Sequence, residues 1–432
     1  MMRRARLRLP AAVVLLCVLF SGCEDSRFFP RMTEISDFEV AQVFGIDKKD
    51  DEIEITIVAD RSSPGDEASS GGKITEIVSF TGGTVVDAIS QMDIHSDKRQ
   101  HLGYVDFLLI GEEAARDGLV KYLDFFTRDY EARYSTKVFV IRGSSAKDFL
   151  LNTASEERSI DDSLSNISEL VHGLSVSQFL RIIDLVDSLG MPHRATIIPA
   201  LEIDEINFGK MVGAEMPKMT FIPAGFAFIK DFKLVDYIDK ELAPTYNFLV
   251  DEARTTPISF KNSHGDYVAL DVHCKKVSLS AQWEGETLKS VRYSIMLYCT
   301  LNEQHGNNNI FTDAALAEIS NTISEGATER FDAIIRQSQR LGQDGIELGE
   351  RLRMAYPFRW SRYGLADKWD EVFSSLDITV EVNTQIRRTY DLREPLGYFR
   401  DELIAETPSR IDAPVTDSND YDTARSDTEG KV

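Results

Sequence analysis

Four cysteines carry the most reactive side chains in this 432-residue sequence, and their settings differ. Cys17 lies inside an apolar run, Cys23 directly follows the small pair Ser21-Gly22, and Cys274 and Cys299 sit in segments of alternating polarity. A thiol in the position of Cys23 is set for acylation. Cys274 and Cys299 either pack as small hydrophobes or form a disulfide, which an extracytoplasmic location permits. The seven histidines (95, 101, 172, 193, 264, 273 and 305) are scattered, and no pair has metal-ligand spacing such as H-E-x-x-H. Gly71-Gly72-Lys73 lacks the Ser or Thr and the upstream glycine of a phosphate loop. Neither G-x-S-x-G nor a strand followed by G-x-G-x-x-G occurs. Asp50-Asp51 and Asp161-Asp162 read as solvated turn acids. The expectation is a protein that is not an enzyme, with no cofactor and no metal.

The N-terminus is more specific. Arg3, Arg4, Arg6 and Arg8 precede an apolar stretch from Ala11 to Phe20. A stretch of about ten residues is too short to span a bilayer, which takes roughly 20, so residues 1–22 read as a signal peptide. Phe20-Ser21-Gly22-Cys23 resembles a bacterial lipobox, with Phe20 where Leu is usual. Cleavage before Cys23 followed by acylation of its thiol would supply the paired chains that stable anchoring needs. Ordinary secretory cleavage, leaving Cys23 as a thiol, is the alternative.

The net charge of −23 argues against a nucleic-acid partner, since phosphate contacts need clustered Lys and Arg. It also argues against docking on anionic lipid by charge. Loss of residues 1–22 removes four Arg and no acid, leaving −27. With 43% hydrophobic residues the chain has material for real cores.

Around these residues the sequence predicts an α+β chain of three mixed domains, with antiparallel or mixed sheets packed by helices. After the signal comes a tether (23–36), then an N-terminal domain with a helical connection (37–202). A small β-rich middle domain (203–260), a C-terminal domain (261–392) and a disordered acidic tail (393–432) follow. Strands are expected at 38–46, 53–59, 73–80, 104–110 and 137–141, with helices opening at Thr84, Glu112 and Ser145. The Glu112 helix is expected to run to Phe126, and 151–202 to be helical, including 176–189. Val268 to Cys274 and Val277 to Trp283 alternate with opposite parity, so a bulge or break is expected at Lys275-Lys276. A long helix runs from Thr312 to Gly342, a second from Asp344 to Pro357, and a last strand spans 376–386. The aromatic cluster Tyr356, Phe358, Trp360, Tyr363 and Trp369 either packs helix against sheet or forms a ligand platform.

Several segments together resemble the C subunit of spore germinant receptors, the Ger(x)C lipoprotein family. They are Cys23 in its lipobox, Phe44-Gly45-Ile46-Asp47-Lys48, Gly83-Thr84-Val85-Val86-Asp87-Ala88-Ile89, Gly111 through Gly118 and Leu123 through Asp129. Tyr356-Pro357, Trp369 through Phe373 and Ile386-Arg387-Arg388-Thr389 follow in the family's order. After the cysteine, Glu24-Asp25-Ser26-Arg27-Phe28 departs from the family's usual Trp-Asp-Arg-x-Glu. The resemblance implies a non-enzymatic, lipid-anchored receptor subunit on the outer face of the spore inner membrane. It would work with the integral-membrane A and B subunits in nutrient-triggered germination. A solute-binding lipoprotein of a transporter and an envelope hydrolase are the alternatives.

Overall fold

The computed structural model describes residues 38–61, 74–96, 99–129, 131–153, 160–191, 193–204, 219–250, 255–306, 310 and 312–387. Cys23, Gly71-Gly72-Lys73 and the acidic tail lie outside them. The chain opens as a meander of β1 (Phe38–Lys49), β2 (Glu52–Arg61) and β3 (Ile74–Gly82), antiparallel throughout. Helix α1 (Val85–His95) starts where the sequence places it. Thr84 Oγ1 accepts from the Asp87 N–H, and the Asp87 carboxylate accepts from the Gly83 N–H.

Strand β4 (Arg99–His101) lies parallel to the start of β1, and β5 (Phe107–Gly111) parallel to its continuation. The expected Glu112 helix is two: α2 (Glu112–Asp117) and α3 (Val120–Arg128). Gly118, at φ +133°, breaks the helical path between them. Strand β6 (Lys137–Ile141) and helix α4 (Ala146–Thr153) follow as expected, with Ser145 Oγ capping α4 through the Asp148 N–H.

The connection to residue 202 is less helical than the sequence predicts. Helices α5 (Ile160–Leu174) and α6 (Ile182–Leu189) flank an extended stretch in which Leu180 accepts from the Val138 N–H. Beyond α6, Thr196–Asp204 is a strand, β7, parallel to β6. Strand β8 (Thr220–Lys230) and strand β9 (Lys233–Ile238) then add antiparallel hairpin partners. The result is one nine-stranded sheet, in the order β3-β2-β1-β5-β6-β7-β8-β9 with β4 beside β1. Among the described residues, 203–260 form no sheet of their own: β8 and β9 complete the first sheet.

Helices cover both faces of the parallel strands, so β5 is buried at every position. One face packs Val85, Met92, Tyr122, Leu123, Phe126 and Leu185, the other Phe149, Leu150, Ile160 and Leu164.

Helix α7 (Ala243–Val250) leads into a four-stranded sheet, ordered β10 (Thr255–Lys261), β11 (Tyr267–Glu284), β12 (Thr287–Gln304) and β13 (Asp377–Arg387). The register of β11 on β12 shifts between Cys274 and Lys276, which is the bulge expected there. Before β13, parallel to β12, come α8 (Asp313–Leu341), α9 (Leu348–Ala355), α10 (Pro357–Arg362) and α11 (Trp369–Ser375). Thr312 caps α8 and Gly342, at φ +67°, ends it. Pro357 both stops α9 and opens α10, where its missing N–H costs nothing. Phe226, Phe228 and Ile238 of the first sheet share a core with Tyr293, Phe331 and Trp369 of the second unit.

Candidate functional site

The carboxyl ends of parallel strands β1, β5 and β6 open into a crevice of about 600 Å³, lined by Asp47, Glu112, Arg116, Gly143 and Ser144 among others. In sheets with parallel strands this end is where ligand and partner chemistry concentrates, because loops leave there and helix N-termini point there. Two segments singled out in the sequence meet at this end: Phe44 to Lys48 and Gly111 to Gly118.

Asp47, at the end of β1, is buried and faces the first turn of α4. Its carboxylate accepts from the Ala146 N–H (2.7 Å) and the Lys147 N–H (2.9 Å). Burial pushes its carboxyl up to about 6, against the lowering pull of those two donors. Gly111 makes the approach possible, since a Cβ there would fall 1.9 Å from Asp47 Oδ1. Glu112 accepts from the Gly143 N–H at 2.5 Å and from the Arg116 guanidinium. Partial burial raises its carboxyl, and these hydrogen bonds outweigh it to leave the group below its ordinary range. Two carboxylates, one near the end of β1 and one at the start of α2, thus clamp residues 143–147, where Gly143 has φ +72°.

Below the rim, Asp117 collects Lys121 Nζ (2.5 Å), Lys48 Nζ (3.3 Å) and the Tyr122 hydroxyl (3.0 Å). The hydrogen bond from Lys121 leads in holding its carboxyl down at about 2. Both clamp carboxylates accept backbone N–H groups, Asp47 from Ala146 and Lys147 and Glu112 from Gly143. What the crevice presents outward is a fixed pattern of charge: Lys48 and Arg116 beside Glu113 and Asp148. Among the described residues no group of three or more His, Cys, Asp or Glu could hold a metal.

The sequence singled out Asp47 and Glu112 only as parts of segments. Their backbone partners at 143–147 were missed, since a hydrogen bond spanning 99 residues leaves no local signal.

The other singled-out residues fall elsewhere. No disulfide joins Cys274 and Cys299. In the β11–β12 register Cys274 faces Leu297 and Cys299 faces Val272. The two residues are therefore diagonal neighbours, their Cα atoms roughly 7–8 Å apart, farther than a disulfide commonly bridges. Cys299 is fully buried, and burial pushes its thiol up to about 12. The aromatic cluster is a packing device. Trp360 and Trp369 are buried with ring centroids 5.1 Å apart, Tyr356 and Tyr363 flank Trp283, and Phe358 alone turns outward. Trp369 also donates its indole N–H to Asp344 (3.0 Å), a fully buried carboxylate that takes three backbone N–H groups at the start of α9. Asp50 lies in the β1–β2 turn at φ +53°, and Asp161-Asp162 in the first turn of α5, where the helix N-terminus favours acids. No helix among the described residues is long and apolar enough to cross a membrane.

The chain is an α+β protein of a large mixed sheet joined to a four-stranded one, with a charged crevice at the carboxyl ends of its parallel strands. Residues 31–203 match the spore germination protein N-terminal domain, and residues 224–390 match the spore germination B3/GerAC-like C-terminal domain. The chain belongs to this spore germination family. A relative in Bacillus subtilis (strain 168), spore germination protein B3, is 20% identical over 381 residues, covering 84% of this chain and 93% of its own. YfkR of the same strain, provisionally named a spore germination protein, is 25% identical over 247 residues. That match spans 56% of this chain and 60% of the length of YfkR. The crystal structure of the GerBC protein superposes with a TM-score of 0.49 at 16% identity, covering 79% of this chain and 96% of that one.

Proposed function

We propose that this chain is the C-type subunit of a nutrient germinant receptor, held at the outer face of the spore inner membrane by lipid on Cys23. It works there with the integral-membrane A and B subunits, as a receptor component and not as a catalyst. The observation that carries this reading is the paired match of both family domains, in order, over residues 31–203 and 224–390. Cys23 lies eight residues before the first of these, at a lipobox-like site, so the anchor would precede the folded body by a short tether. The crevice at Asp47 and Glu112 supports the same reading, with a rim of mixed charge fixed from beneath for a protein partner. Among the described residues the unlike sheets, nine strands against four, lack the pair of similar lobes that a solute-binding lipoprotein closes around its ligand.

The test is isolation of the tagged chain from detergent-solubilised spore membranes. Two integral-membrane subunits of the receptor should co-purify, and charge reversal at Lys48 and Arg116 should reduce their recovery. Recovery of a transporter in their place would overturn the assignment.

A further inference from the structure

A second cavity, of about 580 Å³, lies between α8, α7 and the inner face of β10–β12. Its size falls within the roughly 300–1,000 Å³ of small-molecule sites. Val272 and Leu297 form a buried floor, and Ile323 and Phe331 of α8 a buried wall. On edge strand β10, Ile258 and Phe260 share the inward parity, between exposed Pro257, Ser259 and Lys261. Both are only partly buried, packed against the core where they line the cavity.

Helix α8 keeps that space open. Gly326 sits mid-helix on the cavity wall, and a Cβ added there would meet no atom within 4 Å. Glycine in a helix interior is unfavourable relative to alanine, so this position forgoes helix stability while leaving room.

Two donors face the cavity. Thr256, only 9% exposed, lines it, and no described residue hydrogen-bonds its hydroxyl. Arg330 stands at the rim, exposed and without an ion pair to any described residue. The rim's other cation, Lys240, is held by Glu202 at 2.7 Å and neighbours Glu241, the rim's acid. Arg330 is thus the rim cation that has no ion pair among the described residues. A guanidinium and a hydroxyl over apolar walls call for an acceptor-bearing ligand with an apolar body.

We propose that this cavity binds a small apolar carboxylate, its body against Phe331, Ile323 and Val272 and its head at Arg330. The site is built from residues separate from the crevice and does not depend on the receptor reading.

The test is calorimetric titration of the full chain with sodium octanoate, with 1-octanol and octylammonium as comparison probes. Octanoate should bind saturably at one site and octylammonium at least about tenfold more weakly. Gly326→Leu, which fills open space and improves the helix, should abolish octanoate binding with circular dichroism and melting temperature undiminished. Arg330→Gln should weaken octanoate by about tenfold and leave 1-octanol unchanged. Non-saturable octanoate binding, unchanged affinity in Gly326→Leu, or equal affinity for octylammonium would overturn the proposal.

Discussion

Asp47 Oδ1 accepts a hydrogen bond from the backbone N–H of Ala146 at 2.7 Å, joining the end of strand β1 to the start of helix α4. The second oxygen takes the next N–H, so one side chain satisfies two of the donors that a helix start leaves open. Asp47→Ala would strand both in a buried setting. A loss of about 2 kcal/mol is expected, at the upper end for a cap because the site is enclosed. Gly111→Ala should destabilise in the same direction by displacing the carboxylate. Urea unfolding of both variants checks this; stability within 0.5 kcal/mol of the wild type would remove Asp47 from its role as clamp.

Asp344 should leave a signature in pH. Burial raises its folded carboxyl to about 6 from an ordinary 3.8, so between those pH values the folded state holds a proton that the unfolded chain has lost. Its contribution to stability is therefore present at low pH and lost as pH rises from about 4 to 6, then levels off. The wild type's stability relative to Asp344→Asn should fall by about 3 kcal/mol across that window. Paired unfolding curves at pH 4 and pH 7 measure the difference, and a constant difference would contradict it.

Cys274 and Cys299 should both be thiols. A maleimide applied to unfolded, unreduced protein should add to each. In the folded protein Cys299 should stay unlabelled at pH 7.5, since it is buried and its thiol is held near 12. Intact mass before and after unfolding counts the adducts; two unreacted sites in the unfolded chain that appear only on reduction would establish a bridge.

Much of the fold was legible because local patterns carried it. The opposite parities of Val268–Cys274 and Val277–Trp283 announced the bulge at Lys275, and Thr84 and Thr312 announced their helices. Strand β7 was not legible: Thr196 to Leu201 is buried throughout, includes Pro199, and so shows neither alternation nor a helical stripe. Joining β8 and β9 to the first sheet depends on pairing with β7, and Phe226 and Phe228 then face a core more than 60 residues further along the chain. Tertiary packing decided these features. The crevice was half legible, as segments containing Asp47 and Glu112. What makes it a site is the turn at 143–147, and only the fold brings that turn to them.

Cys23→Ala tests the anchor. Spore-forming cells fed labelled palmitate should incorporate label into the wild-type chain and not into the variant, and the variant should keep its N-terminal segment or leave the membrane fraction. Equal labelling of both would place the lipid elsewhere.

The central claim is a role in nutrient germination. Spores from a host lacking the gene and any paralogue should fail to germinate on at least one nutrient that triggers the parent, as followed by loss of optical density. A wild-type copy should restore the response, and a Cys23→Ala copy should not. An unchanged response of the deletion strain to every such nutrient would contradict the account.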